Sequence, residues 1–269
     1  LQKLLEKNIT IMNNSIISSD AKLGENVKIG PFCYIEGDVE IGEGTIIEPN
    51  VTIYEHVKIG KNCHIFPGAV IGAVPQDLKF DGEISYVEIG DNTTIRECAT
   101  INRGTASSGK SLTKVGNNVL VMSYVHIAHD CVVGDNCILV SYVGLAGETE
   151  VDEWAIIGGG AVVHQFSKIG AHAMIGGASA VTKDVPPYAL AAGNLFSYEG
   201  VNVVGLRRRG FSVDEIEGIR SIYRVIYQSA LNTTAACNKI EAEFPETPYK
   251  RAILDFIKES KRGIVKHSR

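Results

Sequence analysis

Residues 27–65 have the sequence VKIGPFCYIEGDVEIGEGTIIEPNVTIYEHVKIGKNCHI, in which an aliphatic residue returns every six positions. The same period runs over 11–71, 89–101 and 115–181, and every position in these three series is Ile, Leu or Val. A small or β-branched residue usually stands two positions earlier, and glycine often follows. A repeat of this length indicates a solenoid built from one short structural unit.

The hexad predicts a short strand followed by a corner. Residues i−2 and i of a strand point to the same side, so the two apolar positions of each hexad share a face. Three hexads make one triangular coil, and stacked coils bury the face that no single hexad can bury alone. The sequence therefore predicts an all-β solenoid, a parallel β-helix of hexapeptide repeats. Four cysteines at position i−2 are then small core residues: Cys33, Cys63, Cys131 and Cys137.

The composition is that of a folded protein. Apolar residues make up 45% and charged residues 21% of the 269 residues. No apolar run is as long as a membrane span and no charged-then-apolar leader opens the chain, so we expect no integral membrane segment and a cytoplasmic location. The net charge of -5 argues against nucleic-acid binding. The six cysteines contain no CxxC pair, so neither a zinc ribbon nor a disulfide framework is indicated.

The repeat also sets the expected domains. Residues 1–14 are an N-terminal extension, and residues 15–185 form the β-helix. Two stretches interrupt the period, at 73–86 and at 102–114. Insertions in a solenoid map to loops, often on the binding face, so we expect both to carry function. An insertion merely tolerated at the surface is the alternative.

The hexads end at Pro186 and Pro187, because proline cannot donate to a strand ladder. Residues 186–269 are predicted to form a small α-helical C-terminal domain. Within it, Ser212 and Glu215 have the spacing of a capping box, and apolar residues at helical spacing follow them. This domain could cover the last coil, and it is also where a protein partner could dock.

Polar loops and a few histidines hold the candidate chemistry. The interruptions contain residues that a binding loop would use: Gln76, Asp77, Lys79 and Arg103. His129 is followed by Asp130 near a corner, where a carboxylate can orient an imidazole as general base near neutral pH. A solvated surface histidine is the alternative. Arg207, Arg208 and Arg209 suit phosphate recognition, against the alternative of a solvated helix end.

The histidines have a second interpretation as metal ligands. His126, His129 and His164 could converge across neighbouring coils or across a subunit boundary. Three histidines and a water are the ligands of a hydratase zinc. HxxH on a β-solenoid is a weak ligand signal, because the two side chains need not share a face.

Six segments together resemble a known family. They are QDLK at 76–79, HIAHDC at 126–131, AIIGGGAVVHQF at 155–166, IGAHAMIGG at 169–177, DVPPYALAAGN at 184–194 and GVNVVGLRRRGF at 200–211. With the helical tail they are similar to the UDP-N-acetylglucosamine O-acyltransferases, which perform the first step of lipid A biosynthesis. The last segment is the most specific, since the hexads are common to a whole superfamily of acyltransferases. This resemblance, rather than the spacing, implies that the β-helix is left-handed.

The resemblance implies an activity. The family moves an (R)-3-hydroxyacyl chain from acyl carrier protein to the glucosamine 3-hydroxyl of UDP-N-acetylglucosamine. It works as a homotrimer with active sites between subunits, and it needs no cofactor, metal or covalent intermediate. Docking of the acidic carrier implies a basic patch, for which the C-terminal domain offers Arg220, Arg224, Lys250 and Arg251. A solvated charged face is the alternative.

The resemblance also implies roles for individual residues. His129 is the general base, Asp130 orients it, and the Gly147 N–H stabilises the oxyanion. Gly177 matches the position that sets acyl length, and glycine there implies a chain of myristoyl length or longer. Substrate contacts are matched by Gln76, Asp77, Lys79, His126, His164, Gln165, Asn202, Arg208 and Arg209.

Three positions depart from the family pattern. Asn102, Glu148 and Leu195 stand where many members have histidine. Two other functions therefore remain open at this stage. One is another hexapeptide acyltransferase that uses acyl-CoA or a 3-amino sugar, although coenzyme-dependent members usually lack the GLRRRGF segment. The other is the three-histidine metal-dependent hydratase.

Overall fold

Each hexad forms the short strand and corner that its pattern predicts. The computed structural model describes residues 7–193 and 195–267, so the first six residues of the expected N-terminal extension lie outside the described part. In the strand Lys28–Ile29, Lys28 is exposed and Ile29 is buried, and this alternation recurs in almost every coil. Ile29 pairs with Ile47 in the next coil, a step of eighteen residues or three hexads.

The strands stack into three sheets, one for each side of the triangle. Sheet 1 contains β1 Thr10–Ile11, β4 Lys28–Ile29, β7 Ile46–Ile47, β10 His64–Ile65, β13 Thr94–Ile95, β16 Leu120–Val121, β19 Ile138–Leu139, β22 Ile156–Ile157, β25 Met174–Ile175, β27 Ala189–Ala192 and β28 Ser197–Val201. Sheet 2 contains β2 Ile16–Ile17, β5 Tyr34–Ile35, β8 Thr52–Ile53, β11 Val70–Ala73, β14 Thr100–Asn102, β17 His126–Ile127, β20 Gly144–Leu145, β23 Val162–Val163 and β26 Ala180–Val181. Sheet 3 contains β3 Lys22–Leu23, β6 Val39–Ile41, β9 Val57–Ile59, β12 Tyr86–Ile89, β15 Leu112–Val115, β18 Val132–Val133, β21 Glu150–Val151 and β24 Lys168–Ile169.

The core runs along the axis of the coils. From Leu23 to Val181 every aliphatic position of the repeat is buried, and so are the four cysteines expected in the core. Burying an Ile or Val side chain contributes roughly 1.5–3 kcal/mol, so stacked aliphatic residues supply the main stabilisation. The first coil is less protected, since Ile11 is 37% exposed. The parallel β-helix predicted from the repeat is confirmed, and its left-handedness remains a prediction.

Both interruptions leave the helix at the same corner. The first runs from the end of β11 at Ala73 to the start of β12 at Tyr86, and the second from Asn102 in β14 to Leu112 in β15. A 3₁₀ turn, Ala106–Ser108, lies in the second. Each connection joins sheet 2 to sheet 3, as the His129–Asp130 corner does, so both loops lie beside that corner.

The C-terminal part begins as an extension of sheet 1 and continues as helices. Strand β27 pairs with β25 in parallel, and β28 returns antiparallel to it, so residues 189–192 and 197–201 are extended rather than helical. The helices are α1 Val203–Arg208, α2 Val213–Gln228, α3 Thr233–Glu243 and α4 Pro248–Glu259. The expected capping box of Ser212 and Glu215 is present at the start of α2. None of the helices in the described residues is long and apolar enough to cross a membrane.

Candidate active site

The corner between β17 and β18 carries an imidazole paired with a carboxylate. His129 Nδ1 lies 2.8 Å from Asp130 Oδ2. The carboxylate accepts a hydrogen bond from the Nδ1–H group, which leaves the Nε2 lone pair free to accept a proton. The His129 side chain is 17% exposed and that of Asp130 is fully buried, so one member faces the surface and the other lies beneath it. Asp130 has φ 59°, a conformation that Asp accepts more readily than most residues.

The buried Asp130 carboxylate is held by the second loop. It accepts hydrogen bonds from the Thr105 N–H at 3.0 Å, the Thr105 hydroxyl at 2.7 Å and the Ser108 hydroxyl at 2.6 Å. The backbone N–H of Asp130 donates to Thr113 Oγ1 at 2.7 Å. A buried charge is tolerated when hydrogen bonds replace its lost hydration, and Asp130 meets this condition.

Gly147 lies against the imidazole from the next coil. A Cβ at this position would come within 2.5 Å of His129 Cε1 and Nε2, so a side chain here would displace the ring. The flanking N–H groups are used, since Ala146 donates to Val163 O and Glu148 to His129 O, each at 3.0 Å. Within the described residues the Gly147 N–H has no such backbone acceptor and remains available to a ligand.

A pocket of about 390 Å³ opens beside His129. Predicted site residues in its lining are Gln76, His126, His129, Gly147 and Gln165. His126 Nδ1 lies 2.7 Å from Thr100 Oγ1. Burial, together with the neighbouring His129, lowers the pKa of His126, which therefore stays neutral near pH 7.

The first loop brings a carboxylate to the outer side of the imidazole. Asp77 Oδ2 lies 3.9 Å from His129 Nε2, and the Lys79 N–H donates to Asp77 Oδ1 at 3.0 Å. The Lys79 side chain is exposed. The two loops are joined, because the Ala106 N–H donates to Glu83 Oε1 at 2.9 Å. A carboxylate of the first loop thus lies close to the Nε2 atom that the second loop helps to orient.

Arg103 and Asn102 fix the base of the first loop. The Arg103 guanidinium lies 5.5 Å from the centre of the Phe80 ring and 3.2 Å from Glu55. Asn102 Nδ2 donates to Ala73 O and to Val74 O. Asn102 thus has a structural use where many family members have histidine.

The remaining departures are Glu148 and Leu195. Glu148 is half-buried, one coil beyond Asp130 and at the equivalent corner position, with φ 58°. Leu195 is 91% exposed. Within the described residues the Glu148 carboxylate makes no hydrogen bond, and the structure gives no reason for either replacement.

His164 and Gly177 are also outside the pocket lining. The His164 side chain is exposed, with Nδ1 3.0 Å from Gln165 O. Gly177 follows β25 at the corner between sheet 1 and sheet 2, where a Cβ would lie 3.1 Å from Gly159 O. His164 therefore lies next to a residue that lines the pocket, whereas Gly177 lies at a different corner from His129.

The predicted phosphate-binding residues lie at another corner. Asn202 caps α1, since its side chain accepts from the Gly205 N–H and donates to His172 O. Arg209 Nη1 lies 3.4 Å from His172 Nδ1, and its guanidinium lies 5.4 Å from the centre of the Trp154 ring. Burial, followed by the Arg209 charge, lowers the pKa of His172 to about 4. Trp154 and His172 belong to the corner between sheet 3 and sheet 1, whereas His129 is between sheets 2 and 3.

The expected carrier-docking patch is wrong at one residue. Lys250 is buried, and its ammonium group donates to Glu241 O and Phe244 O at 3.1 Å at the end of α3. The three arginines of that set are exposed to varying degrees and pair with glutamates of their own domain: Arg220 and Arg224 with Glu217, and Arg251 with Glu241 and Glu246.

Sequence reasoning missed the residues that support the His129–Asp130 pair. Thr105 and Ser108 lie more than twenty positions before Asp130, and small polar residues in a loop give no sign of such a contact. Thr100, the partner of His126, occupies an ordinary outward position of a hexad. The described residues contain no group of three or more His, Cys, Asp or Glu side chains arranged to hold a metal ion.

Known families match both parts of the chain. The bacterial transferase hexapeptide family matches residues 38–73 and 112–147, and domain 2 of UDP-N-acetylglucosamine O-acyltransferase matches residues 184–265. The second match covers the hairpin of β27 and β28 and the helices that follow. The repeat and the C-terminal part therefore agree on one kind of protein.

Relatives match over nearly the whole chain. An acyl-[acyl-carrier-protein]–UDP-N-acetylglucosamine O-acyltransferase of a Sulfurihydrogenibium species is 54% identical, over 95% of this chain and 94% of the relative. One of the same name from Paracidovorax citrulli is 51% identical, over 96% and 99%. The crystal structure of a UDP-N-acetylglucosamine acyltransferase from Bacteroides fragilis has 50% identity and a TM-score of 0.93, covering 96% of this chain and 100% of that one. The chain therefore belongs to the family of acyl-[acyl-carrier-protein]–UDP-N-acetylglucosamine O-acyltransferases.

Proposed function

We propose that this protein transfers an (R)-3-hydroxyacyl chain from acyl carrier protein to the glucosamine 3-hydroxyl of UDP-N-acetylglucosamine, as the first step of lipid A biosynthesis. The observation that carries the proposal is the His129–Asp130 pair beside the unpaired Gly147 N–H. A base and an oxyanion donor at one pocket are what acyl transfer from a thioester requires. A thioester is already activated, so no covalent enzyme intermediate is needed.

The reaction uses a single proton relay. His129 Nε2 removes the proton of the 3-hydroxyl as its oxygen attacks the thioester carbonyl. The Gly147 N–H donates to the oxyanion of the tetrahedral intermediate. The carbon–sulfur bond then breaks, and the imidazolium returns the proton to the departing carrier thiol. Asp130 accepts a hydrogen bond from Nδ1–H throughout the reaction. This bond keeps the productive tautomer of His129 and stabilises the transient imidazolium.

The acceptor is held by the polar residues around Nε2. Asp77 and Lys79 contact the sugar, and Gln76 and Gln165 bind from the two sides of the pocket. His126 remains neutral and can accept or donate a hydrogen bond without adding charge. His164 lies beside Gln165 at the rim and contacts the substrate from there.

The acyl chain lies along the outer face of sheet 2. Beyond His126, the outward positions of successive coils are Gly144, Val162 and Ala180, which leave a shallow apolar track. The residue at position 177 sets the length of this track. Because glycine has no side chain, the track admits a chain of myristoyl length or longer. We therefore expect Gly177→Met to shorten the preferred acyl chain.

A homotrimer completes the site. Asn202, Arg208 and Arg209 bind nucleotide or phosphate but lie at a different corner from His129 in their own chain. A neighbouring copy can present them across the interface. Sheet 1 supports such an interface, because a column of outward apolar side chains is only partly buried: Leu120, Ile138, Ile156, Met174 and Leu190. We place the reaction in the cytoplasm with its carrier-bound donor.

A matched pair of histidine variants tests the proposal. His56 also pairs with an aspartate, at 2.7 Å from Asp38, but lies outside the pocket lining. Transfer from (R)-3-hydroxymyristoyl carrier protein to UDP-N-acetylglucosamine is measured for the parent, His129→Asn and His56→Asn. We expect His129→Asn to lose roughly 100- to 10,000-fold in kcat and His56→Asn to retain activity. Equal activity of both variants would overturn the base assignment, and no transfer by the folded parent would overturn the function.

A further inference from the structure

The Asp130 carboxylate is surrounded by hydrogen-bond donors from one short loop. Oδ1 accepts from the Thr105 N–H at 3.0 Å and from the Ser108 hydroxyl at 2.6 Å. Oδ2 accepts from the Thr105 hydroxyl at 2.7 Å and from His129 Nδ1 at 2.8 Å. The imidazole thus competes with the loop for the electron density of a single buried carboxylate.

We propose that Thr105 and Ser108 are positioning residues of the transfer reaction, which set the orientation and basicity of His129 through Asp130. The inference rests on the proposed role of His129 as the base. Neither residue lines the pocket beside His129, so their effect on the reaction passes through the carboxylate. The 102–114 loop is then part of the catalytic apparatus rather than an insertion tolerated at the surface.

The loop backbone lies directly on the carboxylate. A Cβ on Gly104 would fall 2.7 Å from Asp130 Oδ1 and 2.2 Å from Leu112 N, so only glycine allows this approach. The other side of the loop is anchored two coils further on, because Lys110 pairs with Glu150 of β21 at 2.9 Å. Anchors on both sides hold the two hydroxyls in place, as a supporting shell must do to orient a catalytic group.

The hydrogen-bond donors also determine how strongly the Asp130 carboxylate stabilises the protonated imidazole. A carboxylate that accepts several hydrogen bonds binds a proton less readily and attracts the imidazolium less strongly. Removal of the hydroxyl donors makes it easier to protonate either Asp130 or His129. Both changes move the acid limb of the pH–rate profile to higher pH. The other ionisable groups near the pair are Asp77, His126 and Cys131, and none of them is altered in the test.

Two hydroxyl deletions and one conservative variant provide the test. Thr105→Val and Ser108→Ala remove one donor each, and Thr105→Ser retains the hydroxyl. Ser111→Ala is the matched control in the same loop, since the described residues provide its hydroxyl with no hydrogen bond. Each protein is followed by kcat/KM against pH and by NMR titration of ¹⁵N-labelled histidine, with the His129 signal assigned from its absence in His129→Asn.

We expect the double variant Thr105→Val/Ser108→Ala to raise the acid limb and the His129 titration midpoint by about one pH unit, since one unit corresponds to about the free energy of one charged hydrogen bond. The single variants move in the same direction, and Thr105→Ser and Ser111→Ala match the parent. A loss of activity that is equal at every pH, with an unchanged His129 titration, would overturn the proposal. If the double variant does not fold, the single variants decide. If the parent transfers no acyl chain, the titration still reports on the pair.

Discussion

Two corners of the β-helix share a backbone conformation and differ in their side chains. Between sheet 3 and sheet 1 the residue with positive φ is asparagine in five coils, with φ from 53° to 59°: Asn26, Asn62, Asn92, Asn118 and Asn136. Between sheet 2 and sheet 3 the same conformation is taken by Asp38, His56, Asp130 and Glu148. Asparagine accepts the left-handed conformation at low cost, which makes it the default when a corner has no other task.

The comparison teaches how chemistry is added to a repeat without disturbing it. Asp130 has the backbone conformation that asparagine has at the other corner. Its φ of 59° therefore costs little strain. The groups that allow a buried charge at this corner are outside its hexad, since a loop of another coil provides hydrogen bonds to the carboxylate. A corner thus becomes a site when a neighbouring insertion supports a charge there.

The largest expected effect comes from exchanging the residues of the two corners. Asp130→Asn retains a residue suited to positive φ. It replaces one acceptor oxygen of the carboxylate with an NH₂ group, which cannot accept the hydrogen bonds that the loop and the imidazole donate there. The imidazole loses its anionic partner, and kcat should fall by about 100-fold or more. Asn118→Asp at the other corner should leave kcat unchanged. Steady-state kinetics of both variants check this, and equal kinetics would remove the distinction between the corners.

A second variant tests the contact between successive coils. Gly147→Ala places a methyl group within 2.5 Å of two atoms of the His129 ring and must move the ring. A displacement of about 1 Å at a catalytic group costs about 100-fold, so we expect a loss of that size in kcat. Gly37→Ala is the control, because its nearest neighbour would be Ser18 Oγ at 3.4 Å, an ordinary contact. An active Gly147→Ala would contradict the close packing of the pair.

The asparagine corner should matter for stability and not for catalysis. Asn118→Val puts a β-branched residue at φ 55°, which we expect to lower the free energy of unfolding by about 1–2 kcal/mol. Asn118→Gly should be nearly neutral. Urea unfolding of the three proteins measures the difference. A fall as large for the glycine variant as for valine would mean that the asparagine side chain, rather than the conformation, stabilises the corner.

The smallest expected effect concerns the aromatic end of that same corner. His172 stacks beside Tyr188 and contacts Phe211, and its pKa is lowered from 6.5 to about 4 by burial and then by Arg209. The unfolded chain therefore takes up a proton at His172 as the pH falls from 6.5 to 4, and unfolding becomes easier over this range.

His172→Phe should remove this part of the pH dependence. Phenylalanine already occupies a corner at φ 62° in Phe166, so the backbone conformation is acceptable. We expect the variant to lose less stability than the parent between pH 6.5 and 4. Thermal unfolding at several pH values measures this. Parallel curves for the two proteins would show that the buried His172 does not couple folding to pH.

The β-helix could be predicted from sequence because its information is local and repeated. The aliphatic positions from Leu23 to Val181 are all buried as the period of six requires. The helix α2 followed from its capping box at Ser212 and Glu215. The hairpin of β27 and β28 did not, because two prolines end the hexads there and only tertiary pairing with β25 shows that sheet 1 continues.

In the candidate site, too, local contacts could be predicted from the sequence and contacts between distant segments could not. His129 and Asp130 are adjacent in sequence, so their pairing was accessible from the residues. The contact of Gly147 with the ring depends on the coil spacing of eighteen residues, and only a resemblance pointed to it. Thr105 and Ser108 depend on how a loop folds back across a corner, and the period does not encode that.

The three-sheet stack also has a mechanical consequence. Its strands lie across the long axis, and the hydrogen bonds between successive coils run along it. A pull between the two ends would load three rows of hydrogen bonds at every coil boundary, and each boundary bears the same force. Rupture then occurs at the weakest boundary, and the first coil, with Ile11 37% exposed, is the natural place for it. Such a molecule gives way coil by coil from one end while its middle, where His129 lies, keeps its shape.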